Sequence, residues 1–221
     1  MDFSPLAPYY RVLEAILAAG TLQRMRAFGL DRLPTVPHVL IVGDGHGRGT
    51  ETILRAVPGA TVTVVELSAR MIAVARQRLS RRGLDPDRVA WICADIREWR
   101  ASPAQFDAIV TQFVLDCFSA ADVDAVVARL GARARPGAVW LLADFAIPAR
   151  GWMRWRAIII HRLMYAFFRR VVGLEARELT PPDRALARCG FVLEARRSAS
   201  AGLVHADVWV RGRSDRENVP A

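Results

Sequence analysis

A run of glycines and the carboxylates downstream of it are the residues of this 221-residue chain whose types and spacing could do chemistry. The stretch VLIVGDGHGRGTET begins at Val39 and places Gly43, Gly45, Gly47 and Gly49 at alternate positions. Residues without a Cβ let a backbone approach a ligand closely. The dinucleotide fingerprint GxGxxG requires a third glycine where this sequence has Arg48, and that glycine serves close packing beside a pyrophosphate. Its displacement argues against NAD and FAD. Glu66 ends an apolar run downstream of the loop, where a carboxylate can accept hydrogen bonds from both ribose hydroxyls. Asp95 lies in WICADI, where it can accept from an adenine amino group while Ile96 packs on the ring. None of these contacts needs a phosphate. Together they suit an adenosine with a small group at its 5′ end.

Such residues must be held at strand ends, and the hydropathy pattern supplies the strands. VLIV (39–42), TVTVVEL (61–67), VAWICA (89–94), FDAIVTQ (106–112) and AVWLLADF (138–145) are short apolar runs, as in strands buried on both faces. Helical segments alternate with them: about 50–57, a Ser68-capped helix to Arg82, and 122–134, after which Pro136-Gly137 turns into the fifth strand. The alternation implies βαβ units and a parallel sheet with helices on both faces. Ligands then bind at the carboxyl ends of the strands. Before this domain, 1–37 reads as a helical cap, its helix from Tyr9 to Arg26 divided at Gly20. After the fifth strand a helical lid segment (148–182) is expected. A capped helix over 180–190, a hairpin of 191–197 with 203–211, and a disordered tail (214–221) follow.

The order VLIVGDGHG, VVEL, CADI, FDAIV and RPGAVWLLADF resembles the class I S-adenosylmethionine-dependent methyltransferases over roughly 36–147 and again in the terminal hairpin. The resemblance implies an α/β, Rossmann-like, seven-stranded, mostly parallel sheet of order 3-2-1-4-5-7-6, strand seven antiparallel. It implies S-adenosyl-L-methionine as cofactor, with Gly43, Gly45 and Gly47 against the methionine part, Glu66 and Leu67 at the ribose, and Asp95 and Ile96 at the adenine. One position departs from the family. The usual acid two residues before the first loop glycine is Ile41, and Asp44 is a candidate to take over towards the cofactor's amino group.

Methyl transfer from a sulfonium is an in-line displacement that needs alignment above all, and a base only where the acceptor carries a proton. The strand-end rule nominates Gln112 and Asp116 beside the transferred methyl, Gln112 counted with the cofactor contacts, and Asp144 at the end of strand five. Asp116, Asp144 and His161 are the catalytic candidates, and Tyr9, Tyr10 and Tyr165 the substrate candidates. Asp107 and His205 are assigned to structure. No NPPY-like motif follows strand four, Cys117 is not in a Pro-Cys pair, and the sole asparagine is Asn218. These absences favour a metal-free enzyme with a small-molecule acceptor. The segment 151–173 interleaves Trp, Ile, Leu and Phe with Arg154, Arg156, Arg162, Arg169 and Arg170. It is read either as a lid packed on the core or as a basic amphipathic surface facing a membrane or a lipophilic substrate. It loosely resembles the ubiquinone/menaquinone-biosynthesis-type methyltransferases.

Composition bounds the remaining classes. The formal charge is +9 with no lysine, so a lysine Schiff base is excluded; a basic balance alone is a weak nucleic-acid footprint, and no nucleic-acid partner is expected. Cys93, Cys117 and Cys189 form no CxxC pair and no ligand spacing with His46, His161 or His205, so no metal is expected. The N-terminus lacks a signal-peptide pattern and no uncharged run reaches spanning length, which makes a cytoplasmic protein, at most peripheral to a membrane, the default. Oligomeric state has no signature in the sequence. Two other readings stay open: a nonenzymatic cofactor-binding or assembly protein on the same fold, and a nicotinamide-dependent oxidoreductase.

Overall fold

The computed structural model describes residues 20–33, 35, 37–100, 105–148, 150–172, 176 and 178–212. Tyr9, Tyr10, the first part of the expected N-terminal helix and the 214–221 tail lie outside the described residues.

Seven strands form one sheet of order β3-β2-β1-β4-β5-β7-β6. They are β1 (His38–Val42), β2 (Thr61–Glu66), β3 (Val89–Cys93), β4 (Phe106–Gln112), β5 (Ala134–Phe145), β6 (Phe191–Ala199) and β7 (Val204–Arg211). The first five are parallel, and β7 runs antiparallel to both β5 and β6. Registers such as Val42↔Val65, Val42↔Thr111 and Gln112↔Ala143 bring the carboxyl ends of β1, β2, β4 and β5 level. The sheet reverses its order between β1 and β4, which is where such folds open a crevice.

Each strand of the centre is apolar on both faces because each face is covered. Val39 and Ile41 of β1 join the layer containing Ile53 and Leu54 of α2 (Arg48–Ala56) and Leu79 of α3 (Ala69–Arg81). Leu40 and Val42 join the opposite layer, with Val123, Val126, Val127 and Leu130 of α4 (Ala120–Gly131). A third cluster joins Leu22 and Met25 of α1 (Thr21–Arg26) with Phe113, Ala143 and Ala157, the last from α5 (Trp152–Val172). A short α6 (Asp183–Arg188) precedes the final hairpin.

Pro136-Gly137 does not end a turn before β5; it lies within the strand. Phe106 pairs with Ala134 and Ala108 with Val139, so the extra residues are absorbed in a bulge at which Gly137 adopts a φ of 78°. The first helix after the loop starts at Arg48, two residues before Thr50, because the loop itself caps it. Asp107 accepts from the His38 N–H (2.8 Å) and from Arg135 (2.7 Å), bracing the far end of the sheet. His205 is buried against Asp207, Nδ1 to Oδ1 3.0 Å.

Candidate functional site

The reversal of the sheet opens a cleft of about 660 Å³. The glycine loop floors it, with Glu66, Leu67, Asp95, Ile96 and Gln112 around it. Of the nine residues named above as cofactor contacts, Gly43, Asp44, Gly45, Glu66, Leu67, Asp95, Ile96 and Gln112 line this cleft. Gly47 lies off the lining. Its φ is 77° and an added Cβ would sit 2.8 Å from Ala75 Cβ, so this glycine serves the close approach of α2 to α3.

Loop geometry explains the other two glycines. At Gly43 (φ 65°) a Cβ would run into Val114; at Gly45 (φ 57°) it would meet nothing, leaving bare backbone toward the cleft. Glu66, buried at the end of β2, accepts from the Gly45 N–H (3.0 Å) and the Ser68 N–H (3.0 Å). One carboxylate thus fastens the loop to β2. A carboxylate offers about four lone-pair sites, so acceptor capacity toward the cleft remains. Burial raises the Glu66 pKa above the ordinary carboxylate range against the pull of these amides.

Asp44 caps the helix that follows the loop. Its carboxylate accepts from the Gly49 N–H (2.7 Å), the Thr50 N–H (2.9 Å) and the Thr50 hydroxyl (2.5 Å). It is committed to the N-terminus of α2 while also lining the cleft. This arrangement also bears on ligand type. Helix N-termini after glycine loops are anion sites, and here the protein's own carboxylate fills the site a phosphate would take.

Asp95 holds the Arg97 guanidinium through both oxygens (Oδ1 3.1 Å from Nε, Oδ2 2.7 Å from Nη2) and accepts the Arg97 N–H at 2.8 Å. The guanidinium keeps its carboxyl below the usual range. Gln112 donates from Nε2 to the Arg26 carbonyl (3.0 Å), while its Oε1 is buried with no hydrogen-bond partner among the described residues. A buried orphan acceptor calls for a donor, and a ligand ammonium or amine in the cleft would supply one. On the loop His46 is held neutral, its pKa lowered by burial first and then by Arg48 and Arg78.

The catalytic candidates gather elsewhere. Asp116 and Asp144 are both buried. The Asp116 N–H donates to Asp144 Oδ2 (3.2 Å), the Phe145 N–H to Asp144 Oδ1 (2.9 Å), and the Tyr165 hydroxyl to the Asp116 carbonyl (3.0 Å). Burial pushes the Asp116 carboxyl up to about 6, and burial together with the Asp116 charge pushes Asp144 well up. His161 donates from Nδ1 to the Ala157 carbonyl (2.7 Å) in the tautomer that satisfies it, leaving Nε2 buried without a partner among the described residues. Its pKa is lowered by burial. None of these four residues lines the cleft, but Cys117 and Phe118, next in sequence to Asp116, do. The cluster stands directly behind the wall, under α5.

Sequence reasoning missed Arg26, Met71 and Phe113 as cleft residues. Phe113 has a φ of 58°, unusual for a bulky side chain; nothing in an apolar strand end announces it. Arg97 could have been found from its i+2 spacing to Asp95. Among the described residues no group of His, Cys, Asp and Glu is placed to hold a metal ion.

Comparison with known proteins matches residues 39–137 to the family described as Methyltransferase domain. Over these residues the chain is similar to methyltransferase domains. It is 28% identical over 151 residues to the demethylmenaquinone methyltransferase of Thermus thermophilus, covering 67% of this chain and 66% of that one. It is 24% identical to the ubiquinone/menaquinone biosynthesis C-methyltransferase UbiE of Desulfotalea psychrophila, over 84% of this chain and 70% of the relative. Among solved structures, the mitomycin 7-O-methyltransferase MmcR superposes with a TM-score of 0.67 at 22% identity, over 96% of this chain and 61% of MmcR. This chain therefore spans slightly under two thirds of the Thermus methyltransferase and about three fifths of MmcR. At that identity the superposition speaks for the methyltransferase fold alone, including the β3-β2-β1-β4-β5-β7-β6 order.

Proposed function

We propose that the chain binds S-adenosylmethionine in the glycine-loop cleft and transfers its methyl group to a small, apolar or aromatic acceptor. The observation that carries this reading is the filled helix terminus. With Asp44 on the α2 amides and an orphan acceptor at Gln112 Oε1, the cleft suits a cationic, phosphate-free nucleoside better than a dinucleotide. S-adenosylmethionine supplies an activated methyl on a sulfonium. The protein's part is positional: Gly43 and Gly45 receive the amino-acid end, Gln112 orients it, Glu66 accepts from the ribose, and Asp95 and Ile96 hold the adenine. The apolar walls around Val65, Ile96 and Phe118 exclude water from the reacting atoms.

For a protonated acceptor, the group with an open lone pair is His161 Nε2; burial raises the carboxyls of both Asp116 and Asp144, Asp116 to about 6, and the Tyr165 hydroxyl is occupied by the Asp116 carbonyl. The names of the relatives, quinone-type methyltransferases among them, support a lipophilic acceptor, and peripheral membrane contact through 151–173 is the matching route of delivery. Calorimetry with S-adenosylhomocysteine, S-adenosylmethionine and NAD tests the core of this reading. Binding of both sulfur nucleosides is expected; NAD binding with no response to either would overturn it. Turnover on a panel of phenolic and quinol acceptors then separates an enzyme from a binding protein on the same fold.

A further inference from the structure

Among the described residues, five of the seven large apolar side chains that meet solvent are on α5. Trp152, Trp155, Ile159 and Leu163 are 67%, 69%, 58% and 68% exposed. Their spacing puts them on one stripe of the helix. The opposite stripe, Ala157, His161 and Tyr165, is buried and pinned by the Tyr165 hydroxyl on the Asp116 carbonyl. The helix cannot roll to hide its outer face without breaking that anchor. The two readings of this segment, a lid packed on the core and an exposed amphipathic surface, fall on opposite stripes of α5: Ala157, His161 and Tyr165 pack inward while Trp155, Ile159 and Leu163 meet solvent. The small Ala157 allows close approach, and Tyr165 needs a partner for its hydroxyl, so the bulkier side chains turn outward.

Charge identifies what such a face fits. Residues 151–172 contain five arginines and no acidic residue. Arg154, Arg162, Arg169 and Arg170 are exposed and Arg156 is half-buried. Tryptophan prefers the polar–apolar boundary of a bilayer, and guanidinium forks phosphate oxygens. A second copy docked through the same face would set arginine against arginine, since a two-fold contact repeats each patch on itself. An anionic lipid surface meets both the apolar stripe and the charge. No described helix is long and apolar enough to cross a membrane, so the contact is one of lying on the surface.

We infer that the outer face of α5 docks on anionic phospholipid, with Trp152, Trp155, Ile159 and Leu163 entering the headgroup boundary and the arginines taking phosphates. This rests on the reading of a lipophilic acceptor, because α5 carries the buried His161 and Tyr165 on its other side and docking would turn that end of the sheet toward the bilayer.

Flotation of the full chain with phosphatidylcholine vesicles, and with vesicles about a third phosphatidylglycerol, tests it. Binding to the anionic vesicles at least about tenfold tighter is expected, weakening with salt. Ile159→Glu and Leu163→Glu should reduce it about tenfold or more, and Arg162→Gln with Arg169→Gln about fivefold per arginine. All four side chains are exposed, so S-adenosylhomocysteine affinity, measured on the same preparations, should not change. Equal or absent partition into the two vesicles overturns the inference. So does unchanged partition of both variant sets, or a wild-type dimer in light scattering that Ile159→Glu dissociates. Loss of nucleoside binding with intact vesicle binding would refute the methyl-donor reading and leave the surface standing; the converse result does the opposite.

Discussion

At the scale of single residues, the carboxylates of the cleft do more than their positions at strand ends announce. Glu66 joins Gly45 to Ser68 and still faces the cleft, so its replacement has two effects that can be separated. Glu66→Ala should weaken S-adenosylhomocysteine by about 1–3 kcal/mol and also free two partly buried amides. Glu66→Gln keeps one acceptor oxygen and should recover part of the loss. Calorimetry on both variants checks this, and an unchanged affinity in Glu66→Ala removes Glu66 from the site. Asp44 is different: three hydrogen bonds end on it from the first turn of α2. Asp44→Ala should cost about 1–2 kcal/mol of stability in urea titration, as loss of a helix cap does. It should also open the vacated amides to sulfate or phosphate, seen as a new thermal stabilisation by those anions. The glycines, Glu66 and Asp95 were legible because type and spacing mark them. The engagement of Asp44 was not, since a carboxylate one residue beyond a glycine can turn to the ligand or to the helix with equal ease. Only the observed distances separate these.

Elements were read more securely than the contacts between them. All seven strands and their order follow from apolar runs, helix caps and the resemblance they carry, because a strand covered on both faces has little freedom in composition. The boundaries moved where local chemistry intervened: Gly47 starts α2 early, and the Pro136-Gly137 bulge lengthens β5. The orientation of α5 was the harder matter. Its apolar residues are spread around the helix, and periodicity alone could not say which stripe packs inward; Tyr165 and Ala157 decide it through partners distant in sequence. Gly47 offers a test of packing between elements. With a φ of 77° and Ala75 2.8 Å from any added Cβ, Gly47→Ala should destabilise the fold by about 1–3 kcal/mol and displace α2 from α3. The double variant Gly47→Ala with Ala75→Gly relieves the contact but not the left-handed backbone, so it should recover only part of the loss in urea titration. Full recovery would show that backbone strain contributes nothing there.

The molecule as a whole carries two opposed sets of acids, and these set its stability against pH. Asp207 is buried, but Arg196 and His205 outweigh that burial and hold its carboxyl below the usual range. Asp95 and Asp107 are likewise lowered by arginine and amide partners. Carboxyls with a lowered folded pKa stabilise above their unfolded value, about 4, and lose that contribution as pH falls through the folded value. Asp116 and Asp144 act in the other direction. Their folded pKa values are raised, Asp116 to about 6 and Asp144 well up, so the folded state keeps protons that the unfolded chain releases. Below about pH 4 both states are protonated and nothing is lost. As pH rises above that, the unfolded chain gains from ionising, and stability declines through pH 6 until both carboxyls ionise in the fold. Wild-type protein should therefore be most stable in mildly acid solution and lose stability between pH 5 and 8, about 1.4 kcal/mol of it from Asp116, whose proton affinity in the fold exceeds the unfolded value by about one further unit over that range. Asp144→Asn removes the group with the strongest hold on a proton. At pH 5 it should be less stable than wild type, because one of the two amides bonded to Asp144 loses its acceptor; at pH 8 that deficit should shrink, because the raised Asp144 carboxyl no longer costs stability as pH rises. Urea titrations of both proteins at the two pH values measure the difference directly. Parallel slopes would mean that the pair holds no proton at neutral pH, leaving its carboxylates open to act as bases behind the Cys117–Phe118 wall.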